Sequence, residues 1–190
     1  MGENSAFSTK AEFRSENCGK RKECVRMMEN EQQLRQHRCC FTGHRPEKCS
    51  RNVEEIQKEL RQEIDLAIEN GFTTFITGMA RGTDLWAGQI VMERKRENPY
   101  LRLICAIPYP GFEAKWSEQW RSLYQRVLSA SDYTKYFFQK FSYDSFQVRN
   151  AWMVNHAARV IAVYNGTGGG THNTIEYAKT QGVPLRFISA

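Results

Sequence analysis

Three short loops of this chain place glycine beside side chains that can hold an anion or move a proton. They are Thr42-Gly43-His44-Arg45, Gly78-Met79-Ala80-Arg81-Gly82-Thr83-Asp84 and Gly166-Thr167-Gly168-Gly169-Gly170-Thr171. A glycine-bearing turn ahead of a helix leaves backbone N–H groups without internal acceptors, and the helix dipole adds partial positive charge there. Phosphate is the typical occupant of such a place, and a missing Cβ lets the backbone approach it. The run Gly168–Gly170 carries the most weight, because three glycines cost backbone entropy that a plain connector does not need. Its spacing departs from GxGxxG, so a dinucleotide-binding fingerprint is not supported.

The neighbouring side chains extend the list of candidates. Arg45 and Arg81 carry guanidinium forks that suit phosphate or carboxylate oxygens, or a surface ion pair. Asp84 opens a helix, where it can serve as an N-cap, hold ribose hydroxyls or orient Arg81. Thr171, Asn173 and Thr174 offer hydroxyl and amide groups at another helix start. Glu176 falls in the first turns of that helix as a general base, a ribose ligand or a complement to the dipole. Tyr109, Trp116 and Trp120 follow the third strand, where an aromatic can stack on a base, and the helical spacing of the tryptophans reads as core packing for at least one of them. Arg149, Asn150, Asn155 and His156 read as polar groups satisfied within the structure.

Six cysteines and no export signal read as reduced thiols in a cytoplasmic protein. A metal site built from Cys39, Cys40, Cys49 and His37 or His44 has the wrong geometry, since adjacent strand residues point to opposite faces. No metal and no cofactor is expected. The opening MGENSA loosely matches an N-myristoylation pattern, but nothing else in the chain points to a membrane.

The elements that must position these loops alternate. RCCFT is a short apolar strand, followed by a turn rich in Gly, Pro, Ser and Asn. Asn52 reads as an N-cap with Glu55 completing a capping box, and Val53, Ile56, Leu60, Ile64 and Ala67 recur at helical spacing until Asn70-Gly71. TTFIT is a second strand, with a helix from about Asp84 to Arg96. LRLICAI is a third, apolar as a strand buried on both faces would be. A helix marked by Trp116, Trp120, Leu123 and Val127 leads to a weaker strand, TKYFF. A helix from about Asp144 to Ala157, the strand RVIAVY, a helix from about His172 to Gln181 and the strand LRFIS complete the series. This alternation predicts an α/β, Rossmann-like, doubly wound fold: a mostly parallel sheet with helices on both faces. Parallel strands bring all three loops to one edge, where ligands of such folds bind.

Of 190 residues, 41% are hydrophobic and 25% charged, as in an ordinary globular domain. Residues 1–36 read as a polar extension, partly helical around Glu23 to Gln36, ahead of a domain over 37–190. The net charge of +6 is dispersed, which permits nucleic-acid binding without favouring it.

Residues from about Arg38 to Ile188 resemble the YpsA-like branch of the SMF/DprA–LOG (SLOG) superfamily. The resemblance is carried by CCFTGHRP, ITGMARGTDLWA and RVIAVYNGTGGGTHNTIEYA jointly. It implies a Rossmann-like fold whose loops form a pocket for nucleotides or nucleotide-derived ligands. LOG-type members are phosphoribohydrolases that cleave the base from a nucleoside monophosphate, with a signature similar to PGGxGTxxE. Here the leading Pro is missing, Thr174 stands at the glutamate position, and Glu176 is displaced along the helix. DprA-type members bind single-stranded DNA with the help of accessory domains, and this sequence reads as one domain.

Three functions are therefore carried forward. The first is a nucleotide-binding sensor or regulatory protein, with the three loops cradling phosphate and Asp84 or Glu176 contacting ribose. The second is a LOG-like N-glycosidase with Glu176 as acid/base and Arg81 holding phosphate. The third is a single-stranded DNA binder using the arginines and Tyr109. A homodimer is an expected partner state, as Rossmann-like proteins often pair through helices.

Overall fold

The computed structural model describes residues 29–190. Expectations that fall on residues 1–28, including Cys18, Cys24 and the start of the first helix, lie outside the described residues. The unit that carries the sheet begins at Gln36. Residues 29–36 form a helix, α1. There follow β1 (Arg38–Gly43), a 3-10 turn (Pro46–Lys48), α2 (Val53–Glu69), β2 (Thr74–Thr77), α3 (Thr83–Glu97) and β3 (Arg102–Ile107). The chain continues through α4 (Glu118–Ser129), β4 (Tyr133–Tyr136), α5 (Ser145–Asn155), β5 (Arg159–Tyr164), α6 (Gly170–Thr180) and β6 (Leu185–Ser189).

All six strands are parallel, in the order β4-β3-β2-β1-β5-β6. The chain steps outward from β1 to β4 on one side, then returns so that β5 pairs with the other flank of β1. The winding therefore reverses between β1 and β5, and such a reversal opens a crevice at the carboxyl ends of the strands.

The period of two along β1 divides the core. Cys39 and Phe41 face one layer with Phe75, Ile161 and residues of α2, α3 and α4. Cys40 faces the other with Ile76, Val160 and residues of α5 and α6. The adjacent cysteines thus point to opposite faces, and no cluster of three or more metal-ligating side chains forms among the described residues. No described helix is long and apolar enough to cross a membrane.

Several helix starts differ from the sequence expectation for local reasons. Asn52 caps α2 by accepting from the Glu54 N–H at 2.7 Å, but Glu55 turns to Arg51 at 3.6 Å rather than completing a capping box. Asp84 is not the cap of α3. Gly82 takes that place with φ of 87°, a left-handed conformation that favours glycine, and Asp84 sits inside the first turn. Helix α6 begins at Gly170, two residues before the expected His172, so the glycine run enters the helix. Helix α4 begins after Ser117, leaving Trp116 ahead of it.

Candidate functional site

At the carboxyl ends of the central strands lies a cleft of ≈ 390 Å³. Thr42, Gly43, His44 and Arg45 line it from the end of β1, Ala80, Arg81 and Asp84 from the segment after β2, and Gly168, Gly169, Gly170 and Thr171 from the start of α6. All three glycine loops therefore meet in one site, beside the reversal between β1 and β5. Its volume falls within the ~300–1,000 Å³ common for small-molecule sites.

The glycines of these loops do two different jobs. A Cβ on Gly43 would lie 2.6 Å from the Cβ of Thr83, and one on Gly78 would lie 2.7 Å from Oδ2 of Asp84 and also meet Arg149. These two allow loops and helices to pack against each other. Gly168 and Gly170, by contrast, have no non-neighbouring atom of the described residues within 4 Å of a would-be Cβ. Their missing side chains leave open space in the cleft. Gly169, the N-cap of α6, contributes no side chain to the first-turn N–H groups, which keeps them open to an anion.

The loop after β2 is held by its own hydrogen bonds. Thr77 Oγ1 donates to the Asp84 carbonyl at 2.7 Å and accepts from Met79 N–H at 3.2 Å. Met79, wholly buried, adopts φ of 61°. For a non-glycine residue such a conformation costs on the order of 1 kcal/mol. Met79, Gly78 and Gly82 shape the loop from behind and do not line the cleft.

Asp84 and Arg149 are both buried at the floor. The Asp84 carboxylate accepts from Ala80 N–H at 3.2 Å. Arg149 Nη1 donates to the carbonyls of Gly78 and, at 3.2 Å, of Ala106. Burial pushes the Asp84 carboxyl up to about 6, against the opposing pull of Arg149 and the Ala80 N–H. Burial likewise lowers the Arg149 pKa, and Asp84 resists that shift.

Among the described residues, four cationic side chains, Arg45, Lys48, Arg81 and Arg149, line the cleft against one carboxylate, Asp84. Lys48 Nζ stands 3.8 Å from the Cβ position of Gly169, at the start of α6. Arg81 Nη1 pairs with Glu47 at 3.0 Å. Among the described residues, three buried nitrogens of the cleft have no hydrogen-bond partner: His44 Nε2, Arg81 Nε and Arg149 Nε. The His44 ring stacks on Tyr164 at 5.4 Å, whose hydroxyl shares a 2.8 Å hydrogen bond with His172 Nδ1. Burial lowers the His44 pKa, aided by the charge of Lys48 and offset in part by Asn165.

Other sequence candidates stand elsewhere. Glu176 is exposed and pairs with Lys179 at 2.8 Å, and it does not line the cleft. Asn173 is also exposed. Thr174 is buried, and its hydroxyl donates to the Gly170 carbonyl at 2.8 Å and accepts from Asn150 Nδ2 at 2.9 Å. Tyr109 packs edge-on against Phe146 at 6.0 Å and stays behind the cleft wall. Trp116 and Trp120 pack on the core. Sequence reasoning missed Lys48 and Phe146 as lining residues, and read Arg149 and Asn150 as structural. The available signal was the i, i+3, i+4 spacing of Phe146, Arg149 and Asn150, which puts all three on one helix face.

Comparison with known proteins matches this geometry to a family. The model of the YspA SLOG family, named YpsA, matches residues 39–189. The chain is 34% identical over 117 residues to the uncharacterized SPbeta prophage-derived protein YoqJ of Bacillus subtilis, covering 55% of this chain and 68% of that protein. It is 31% identical over 134 residues to a UPF0398 protein of Bacillus thuringiensis, covering 68% of this chain and 72% of the relative. Among solved structures, DNA processing protein A (DprA) of Streptococcus pneumoniae superposes with a TM-score of 0.61 at 18% identity, over 83% of this chain. The chain spans about half of that protein, 52% of its length. DprA of Helicobacter pylori, from a structure describing its single-stranded DNA binding mode, gives a TM-score of 0.58 at 16% identity, over 83% of this chain and 67% of that one. These two likenesses establish a shared fold. The family match spans the sheet and all three loops, and the chain belongs to the YspA SLOG family.

Proposed function

We propose that this protein binds a nucleotide or nucleotide-derived ligand in the three-loop cleft and acts as a sensor or regulatory protein. The observation that carries the reading is the meeting of the open glycine start of α6 with Lys48, Arg45 and Arg81 around one cavity. A phosphate at α6 would take the open N–H groups and the Lys48 ammonium, with the Arg81 guanidinium in reach once released by Glu47. The buried Nε atoms of Arg81 and Arg149, without a partner among the described residues, support a polar ligand, since such atoms in native proteins generally find a partner.

The N-glycosidase reading loses its proposed acid/base from the cleft, because Glu176 faces Lys179 on the surface. Asp84 is the remaining carboxylate there, and it is engaged with Ala80 and Arg149. Single-stranded DNA remains the competing occupant, on the strength of the DprA fold.

The test is a thermal-shift and calorimetric panel of nucleoside mono- and diphosphates, cyclic nucleotides, ADP-ribose and a short oligothymidylate. Saturable binding of a small nucleotide is expected. A ligand at about 100 times its Kd adds roughly 2.7 kcal/mol of apparent stability. Lys48→Ala with Arg81→Ala is expected to abolish that gain. No shift with any nucleotide, or binding of the oligonucleotide alone, rejects the proposal.

A further inference from the structure

The phosphate-binding end occupies only part of the cleft. The adjoining wall is a single face of α5, with Phe146 and Asn150 beside the buried Arg149. It has an aromatic ring, a planar cation and an amide, and none of these is needed to hold phosphate. We infer that this wall is a nucleobase subsite, with Phe146 as the stacking surface and Asn150 selecting bases that carry an exocyclic amino group. The inference rests on the nucleotide-binding reading above.

Phe146 is a half-buried ring in the wall of a strongly cationic cleft. Tyr109 at 6.0 Å and Phe112 at 6.3 Å meet it edge-on, which holds the ring in place. The guanidinium carbon of Arg149 lies 6.0 Å from its centroid. Aromatic rings and guanidinium planes are the two groups proteins set against unstacked bases.

The orientation of the Asn150 amide follows from its partners. The Thr174 hydroxyl donates its one proton to the Gly170 carbonyl at 2.8 Å. It must then accept from Asn150, so Nδ2 is the atom 2.9 Å away. Oδ1 has no hydrogen-bond donor among the described residues and is left as an acceptor. An acceptor beside the ring selects a base edge with an amino donor: adenine over hypoxanthine, cytosine over uracil. The same chain of bonds ties this residue to the first turn of α6, where phosphate is proposed to sit. Thr174 thus links the two ends of the site.

The experiment measures Kd by calorimetry for AMP, IMP, CMP, UMP and ribose 5-phosphate on the full chain. For the wild type, AMP or CMP should bind at least about ten-fold more tightly than its keto counterpart and than ribose 5-phosphate. Phe146→Leu should reduce the nucleotide advantage by about ten-fold, the scale of one stacking contact, with ribose 5-phosphate affinity unchanged. Asn150→Leu should bring AMP and IMP, or CMP and UMP, to within two-fold of each other. Unchanged ribose 5-phosphate binding shows that each variant is folded with its phosphate end intact. Nucleotides that bind no better than ribose 5-phosphate, or a Phe146→Leu variant with the wild-type ratio, overturn the inference and leave the phosphate site standing. Failure of every probe to bind overturns the nucleotide reading itself, and the base subsite with it.

Discussion

Arg149 of α5 and Asp84 of α3 converge on Gly78 from helices on opposite faces of the sheet. A Cβ at Gly78 would lie 2.7 Å from Asp84 Oδ2 and would collide with the Arg149 guanidinium. The end of β2 thus has a buried charged joint directly beneath the cleft, and the bareness of Gly78 is what permits it.

Gly78→Ala should therefore destabilise the protein by about 2 kcal/mol, the usual scale for overpacking a filled site. Gly168→Ala should leave stability within about 0.5 kcal/mol, because its Cβ meets nothing within 4 Å. The second variant should instead weaken nucleotide binding by about ten-fold, since the added methyl group enters the space proposed for phosphate. Urea unfolding and calorimetry on both variants separate the two roles. Equal stability losses would contradict them.

The buried Asp84 carboxyl sets a pH dependence of unusual sign. Its pKa rises from 3.8 in the unfolded chain to about 6 in the fold. Between these values the folded state keeps a proton that the unfolded chain has released. Stability then falls as pH rises from about 4 to about 6, and the full penalty, on the order of 3 kcal/mol, persists above that window. Urea unfolding between pH 4 and 7 should show this decline, and Asp84→Asn should remove it. A wild-type profile with no decline there would show that Arg149 holds Asp84 ionised throughout.

Glu47 competes with any anion for Arg81, since the two pair at 3.0 Å with Glu47 mostly exposed. Exposed pairs contribute little to stability. Glu47→Gln should accordingly leave the unfolding midpoint in place while tightening binding of a nucleotide several-fold. Weaker binding in this variant would mean that the pair positions Arg81 for the ligand.

Glu176 should be dispensable for binding. Its side chain meets Lys179 at 2.8 Å on the exposed face of α6. Glu176→Gln should leave nucleotide affinity within two-fold and the unfolding midpoint unchanged. Base release from a nucleoside monophosphate that disappears in this variant would restore the N-glycosidase reading.

The strands, helices and converging loops could be read in the chain itself because they rest on local physics. The alternation of Cys39 and Cys40 between layers, the helical spacing of Ile56, Leu60 and Ile64, and glycine at turns are properties of a few adjacent residues. Parallel strands separated by helices then oblige every such loop to reach the same edge. Tertiary structure decided what depends on residues far apart in the sequence. Pairing β5 with β1 set the cleft between the first and last loops. Only that pairing brought Lys48 to Gly169, a separation of more than a hundred residues. Packing of α5 across the sheet turned Phe146, Arg149 and Asn150 into a cleft wall, and turned Tyr109 into the support behind it. The glycines make the same division. Their identity announced turns, but whether the missing side chain makes room for a neighbour, as at Gly78, or for a ligand, as proposed for Gly168, depends on atoms that only the folded chain brings near.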